Sequence, residues 1–170
     1  MSVASELPSR CLYAETPPVV QEPDQAEISR VVTVSLYFAG RDRLALLAEQ
    51  RQLPRPKNPV AHGRTIIREL AAGPRNDNLR PTLPDSSRLR SFFIAPDKTA
   101  YVDLGSDMWA HHPGGVQSDI LALYSIVNSL VLNMAEIDAV KILTPDSEPV
   151  IPAGHLDLRY PLKADILLIR

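Results

Sequence analysis

The sequence Tyr101-Val102-Asp103-Leu104 opens a run of short motifs that extends to residue 161. It predicts a short strand, and the next motif is a polar turn with two glycines. The third motif predicts the middle of a long helix, and the last a closing loop after a further strand. These later motifs are His111-His112-Pro113-Gly114-Gly115, Tyr124-Ser125-Ile126-Val127-Asn128-Ser129-Leu130 and Gly154-His155-Leu156-Asp157-Leu158.

The longest helix is predicted over residues 116–134, because apolar side chains recur there at helical spacing. Burial of this face contributes about 1.5–3 kcal/mol per large side chain before entropy is subtracted. We therefore expect this helix to supply most of the core. Its apolar face consists of Ile120, Leu123, Tyr124, Val127, Leu130, Val131 and Met134.

Upstream, the alternation from Val31 to Phe38 predicts a strand, and residues 44–51 are expected to pair back as a hairpin. The prolines of segment 53–57 are expected to end that hairpin, because proline cannot donate to a ladder. A helix is predicted to begin at Asn58-Pro59 and to end at Gly73-Pro74, since these are preferred cap residues. Residues 75–87 are expected to form a polar loop.

A second hairpin is predicted from residues 88–95 and 99–104, a further strand at 139–143, and a short last one at 149–151. The order is ββαββαβ, followed by the short last strand. This order predicts an α+β protein, a two-layer sandwich with two helices on one face of a mostly antiparallel or mixed sheet. Residues 1–29, rich in proline and polar residues, predict a disordered tail. Residues 30–163 are expected to form one domain, and 164–170 a C-terminal extension.

The motifs between residues 101 and 161, with the strand at 34–38 and the segment 70–74, resemble the GerMN domain of spore-germination and sporulation proteins. The resemblance implies a fold like the ring-building domains of bacterial secretion and sporulation complexes. It also implies a non-catalytic module of protein–protein assembly in the cell envelope. The motif positions that it marks as structural are Asp103, Pro113, Gly114, Gly115, Tyr124, Asn128, Gly154, His155 and Asp157.

Three patterns contain residue types that occur in metal, catalytic or phosphate-binding sites. His111 and His112, with Asp103, Asp107 and His155, are residue types that bind zinc, but adjacent rings on an extended segment point apart. Ser125, His155 and Asp157 are the residue types of a hydrolase triad, yet Ser125 falls inside a helix rather than on a nucleophile turn. Gly114-Gly115 precedes a helix, but no phosphate-binding fingerprint follows. The sequence therefore predicts no catalytic residue, metal or cofactor.

Composition limits the other classes. The 170 residues carry a net charge of −2, and the pI is about 6.1, which argues against nucleic acid as a partner. The single cysteine, Cys11, allows no internal disulfide.

The resemblance implies a membrane-anchored or exported protein. Residues 1–29 nevertheless contain no secretory signal, and no apolar run reaches the length of a bilayer span. Arg10 precedes Cys11 where a lipid-anchored cysteine would require a small residue. Two alternatives stay open: a soluble cytoplasmic protein, or a chain that starts downstream of a removed anchor.

Charge is unevenly distributed along the chain. Residues 41–75 contain eight basic and three acidic residues, whereas residues 97–170 contain ten acidic and five basic residues. One interpretation is an ordinary solvated surface. The other is complementarity between copies or with a protein partner, which predicts weak head-to-tail association in an envelope assembly. A cell-wall polymer or an anionic lipid is the alternative partner of a basic patch.

Overall fold

The computed structural model describes residues 28–84, 87–105, 115–143 and 157–170. The α+β class predicted from the sequence is confirmed. One short strand appears in the segment 75–87 that was expected to be a loop, and the strand expected at 149–151 lies outside the described residues. The elements are β1 (Ile28–Gly40), β2 (Leu46–Pro56), α1 (Pro59–Ala71), β3 (Leu79–Arg80), β4 (Ser91–Ile94), β5 (Thr99–Asp103), α2 (Val116–Val131), β6 (Ala139–Leu143) and a 3-10 turn, Ile166–Leu168.

The strands form two three-stranded sheets, where the sequence predicted a single one. The first has the order β2-β1-β3 and is antiparallel, and the second has the order β4-β5-β6. In the second sheet β4 and β5 are antiparallel, while β5 and β6 are parallel. Parallel neighbours require a crossover, and α2 lies within the connection from β5 to β6.

Strand β2 is longer than predicted. The expectation that segment 53–57 ends the hairpin is wrong, because β2 continues to Pro56 and Pro54 pairs with Val31 of β1. The physical reason is position: β2 is an edge strand, and proline is tolerated on an edge where alternate N–H groups need no partner. Only the location of β2 in the sheet reveals this.

Helix α1 has the predicted caps. The Asn58 side chain accepts a hydrogen bond from the backbone N–H of Val60 at 2.9 Å, and Gly73 follows the C-cap with a φ of +80°. Gly63 faces β4 so closely that a Cβ there would lie 2.4 Å from the Phe92 ring. Glycine at this position therefore sets how near α1 approaches the second sheet.

Helix α2 packs between the two sheets and is the centre of the core. Leu123, Val127 and Leu130 have no exposed surface, which confirms the predicted apolar face at these positions. The helix ends at Val131, three residues earlier than predicted, but Met134 is still buried by the turn that follows. In the described segments neither helix has the length and hydropathy needed to cross a bilayer.

Candidate functional site

Two polar side chains lie along the open edge of β1. Ser129 is in α2, and Asn133 is in the turn that follows the helix. The Tyr37 N–H donates to Ser129 Oγ at 3.1 Å. Asn133 Oδ1 accepts from the N–H of Ser35 at 2.9 Å, and Asn133 Nδ2 donates to the Ser35 carbonyl at 2.8 Å. These side chains satisfy backbone groups that β3, which pairs only with the end of β1, leaves open.

The Asn128 side chain likewise forms hydrogen bonds with the backbone of the C-terminal segment. It is fully buried, and its side chain exchanges two hydrogen bonds of 3.0 Å with the backbone N–H and carbonyl of Asp165. Further along, the Arg170 N–H donates to the Leu46 carbonyl at 3.0 Å. Asn128, singled out as a motif residue, therefore anchors residues 165–170 to the domain.

The serine of the hypothesised triad is fully buried. Ser125 Oγ donates to the Ala122 carbonyl at 2.7 Å and accepts from Thr82 Oγ1 at 2.8 Å. A buried hydroxyl that already makes two hydrogen bonds within the fold has no access to a substrate. His155, its hypothesised base, lies outside the described residues.

Asp103 and Asp157 each lie beside an arginine. Asp103 Oδ1 accepts from the Gly105 N–H at 2.8 Å, and its Oδ2 lies 4.0 Å from Arg90 Nε. Asp157 is exposed and pairs with Arg159 at 2.7 Å, and hydrogen bonds from that arginine lower the pKa of Asp157 to about 2. Within the described ranges no three potential metal ligands cluster.

The other motif residues have simple placements. Gly115 is the N-cap of α2, with a φ of +101°, and its carbonyl accepts from the Asp119 N–H at 3.0 Å. Tyr124 is half-buried, and burial together with the charge of Asp165 raises its pKa. The remaining predicted residues, Asp107, His111, His112, Pro113, Gly114 and Gly154, lie outside the described residues.

Arg51, one of the basic residues of segment 41–75, is buried and contacts several parts of the fold. Its guanidinium pairs with Glu49 at 2.6 Å and Glu69 at 2.9 Å, donates to the Gly73 carbonyl and lies over the Phe38 ring. Burial tends to raise the pKa of Glu49, but hydrogen bonds from Arg51 and two backbone N–H groups lower it below its ordinary value. Part of the basic charge of residues 41–75 is therefore neutralised inside the protein.

A second buried titratable group is His62 on α1, which is 2 % exposed. Burial, and then the positive charge of Arg55, lower the pKa of His62, while Glu136 opposes the shift. Arg55 itself pairs with Glu136 at 3.2 Å. The imidazole is consequently neutral at physiological pH.

A pocket of about 290 Å³ lies between α1 and the segment before β4. Arg64 and Arg68 enter it from α1, whereas Ser87, Arg88 and Arg90 come from the segment. We call it the arginine pocket. Sequence reasoning counted Arg64 and Arg68 in a basic stretch, but it had no signal that Arg88 and Arg90 would join them.

The family model described as "Germane: Sporulation and spore germination" matches residues 35–149. The chain belongs to this family. The match begins within β1 and extends beyond β6, so both sheets and both helices of the Germane domain are included. A search of curated protein sequences gave no match.

Solved structures agree with the Germane assignment. The first GerMN domain of the sporulation protein GerM from Bacillus subtilis is 20 % identical, with a TM-score of 0.52 over 70 % of this chain and 90 % of that one. The tandem GerMN domains of the same protein are 18 % identical, with a TM-score of 0.52 over 69 % of this chain and 40 % of that one. A Clostridium perfringens protein described as a lipoprotein is 24 % identical, with a TM-score of 0.53 over 79 % of this chain and 88 % of that one. At these identities the similarity establishes the GerMN fold.

Proposed function

We propose that this chain is a non-catalytic protein-interaction module of a bacterial envelope or sporulation-like assembly. Membership of a sporulation and spore germination family supports the proposal. The observation that carries it is that the polar residues in the middle of α2 are buried and form hydrogen bonds inside the domain. Ser125, Asn128 and Ser129 are fully buried and hydrogen-bonded within the fold, so they stabilise the domain and do not face a substrate.

The proposed contact is weak and electrostatic. Arg64 and Arg68 are exposed and have no carboxylate partner among the described residues. Several exposed acids, such as Asp97 and Asp138, lie in the acidic part of the chain. Exposed charge pairs contribute only about 0–1 kcal/mol each, so head-to-tail contacts between copies, or with a protein partner, become significant when a scaffold raises the local concentration.

Sedimentation velocity of the whole chain, from about 0.05 to about 0.5 M salt, tests this mode of association. We expect a monomer at low protein concentration and self-association that weakens as salt screens the charges. Arg64→Glu/Arg68→Glu should abolish it, while Arg41→Glu/Arg43→Glu, which makes the same charge change in the exposed β1–β2 turn, should reduce it less. A tight dimer that is insensitive to salt would contradict the proposal.

Metal analysis tests the absence of chemistry. The expectation is that purified protein contains no stoichiometric zinc. One equivalent of zinc that is lost in His155→Ala would revive the hydrolase class.

A second candidate function is binding of a cell-wall polymer or a small ligand. The arginine pocket favours it, because it gathers cationic side chains around a concave surface.

A further inference from the structure

We propose that the arginine pocket binds a phosphate group. This inference rests on the second candidate function and names its ligand chemistry. The assembly contact proposed above uses the same Arg64 and Arg68, so the two proposals are tested by separate measurements.

The first support is the concentration of positive charge. Arg64 and Arg68 are one helical turn apart on α1, and like charges at that spacing repel. Arg88 and Arg90 add two more guanidinium groups to the same pocket. An anion held between these four side chains would convert the repulsion into attraction.

The second support is the shortage of carboxylates around them. Six basic residues elsewhere in the described chain have an acidic partner within 4 Å: Arg51, Arg55, Arg75, Lys98, Arg159 and Arg170. Others, such as Arg41, Arg43 and Arg80, have none among the described residues, so it is the grouping of unpaired arginines in one pocket that distinguishes this site. At the pocket only Arg90 approaches an acid, Asp103, at 4.0 Å. Arg64, Arg68 and Arg88 pair with no carboxylate of the described residues, which exclude Asp85 and Ser86.

The third support is independent of charge. Ser87 lines the pocket and is 7 % exposed, yet its Oγ has no hydrogen-bond partner among the described residues. Its backbone N–H donates to the Pro84 carbonyl at 2.9 Å, which holds the residue in place. Buried hydroxyls are normally satisfied. The Oγ itself has almost no exposed surface, so a ligand oxygen would supply the missing partner once the Ser87 side chain rotates toward the pocket.

The pocket's size and walls favour phosphate over other anions. Its 290 Å³ lies at the lower limit of small-molecule sites, which span about 300–1,000 Å³. A phosphate carries close to two negative charges and three acceptor oxygens, so it can engage several planar guanidinium forks at once. Ile67, Ala71 and Leu89 form an apolar side, which suits a short group attached to the phosphate.

Isothermal titration of the whole chain with inorganic pyrophosphate, at constant ionic strength, tests the site. We expect saturable binding with a dissociation constant of about 1 mM or lower. Arg64→Gln/Arg68→Gln should weaken it at least about tenfold. The control Arg41→Gln/Arg43→Gln, which removes the same charge from the exposed β1–β2 turn, should bind like the parent.

Ser87→Ala separates a ligand contact from a structural role. Binding should weaken about three- to tenfold, while the melting temperature of the free protein should not fall, because the lost hydroxyl has no partner among the described residues. A fall in stability with unchanged binding would remove Ser87 from the site.

The source of the phosphate is distinguished by a parallel assay with vesicles. Cosedimentation with phosphatidylglycerol vesicles, but not with phosphatidylcholine vesicles, that depends on Arg64 and Arg68 would identify a lipid headgroup. Pyrophosphate binding without vesicle binding would identify a free phosphorylated ligand. Absence of binding in both assays, or equal weakening by the Arg41/Arg43 control, would overturn the inference, whereas salt-sensitive self-association would leave the assembly role intact.

Discussion

The side chain of Asn133 pairs with the backbone of Ser35 as a neighbouring strand would. The two residues are 98 positions apart in the sequence, and they exchange hydrogen bonds of 2.9 Å and 2.8 Å. A third bond, from Asn133 Nδ2 to the Ser129 carbonyl at 2.8 Å, fixes the amide on the turn that follows α2. The open edge of β1 is thus closed by Ser129 of α2 and by the turn that follows the helix, and no strand of the second sheet pairs there among the described residues.

Asn133→Ala should destabilise the fold by about 1–3 kcal/mol, because it leaves the N–H and carbonyl of Ser35 without partners in a part-buried site. Urea unfolding measures the loss. Gln52→Ala is the matched control, since the Gln52 amide bonds only to Thr33 Oγ1 at an exposed position. Equal effects of the two substitutions would contradict the role given to Asn133.

Leu123→Ala should cost about 2–5 kcal/mol, because Leu123 is fully buried between the two sheets and its removal leaves a cavity. Leu132, at the C-cap of α2, is 43 % exposed, and Leu132→Ala should change the free energy of unfolding by less than about 0.5 kcal/mol. Chemical denaturation of both variants checks the packing of α2. A parent-like midpoint for Leu123→Ala would show that its burial is misassigned.

Arg51→Met should destabilise the protein by about 3–5 kcal/mol at neutral pH, because it leaves the carboxylates of Glu49 and Glu69 without their buried partner. The folded-state pKa of Glu49 lies below the ordinary value of 4.5. The stabilisation from its charge is therefore complete above that value and lost as the pH falls through the lowered pKa.

The difference in unfolding free energy between the parent and Arg51→Met should accordingly narrow below pH 4.5, as the pH falls toward the lowered pKa of Glu49. Urea midpoints across a pH series measure it. Arg75→Met is the control: Arg75 also contacts Glu69, at 3.2 Å, but its side chain is 69 % exposed, so the loss should stay within about 1 kcal/mol.

His62 should make the protein less stable in mild acid. Its pKa in the folded protein is lowered from 6.5 by burial, so below pH 6.5 the unfolded chain binds a proton more readily than the folded one. Stability should be unaffected by His62 above pH 6.5 and should decline from there toward the lowered pKa. His62→Leu should flatten this decline, which thermal unfolding across the pH range measures, whereas His155→Leu serves as the comparison. An unchanged slope in His62→Leu would contradict the burial argument.

The local elements could be predicted from the sequence because their causes are local. Alternation marked β1, Asn58-Pro59 and Gly73 marked the ends of α1, and helical spacing marked the face of α2 that carries Leu123. The length of β2 could not be predicted, since Pro54 is acceptable only on an edge strand. The candidate sites were also predicted only in part. The sequence supplied residue types such as Ser125, but it did not reveal that the Ser125 hydroxyl forms its hydrogen bonds inside the fold.

The sequence by itself determined the α+β class, the order of the elements other than β3, and the caps of α1, because dihedral preferences and side-chain periodicity act within a few residues. Only the tertiary structure decided which distant groups meet. It placed Asn133 against Ser35 at the edge of the first sheet, and it set Arg64 and Arg68 of α1 beside Arg88 and Arg90. The physical reason is that these contacts depend on how α1 and α2 pack on the strands, and that packing is settled by burial of the whole core rather than by any local pattern.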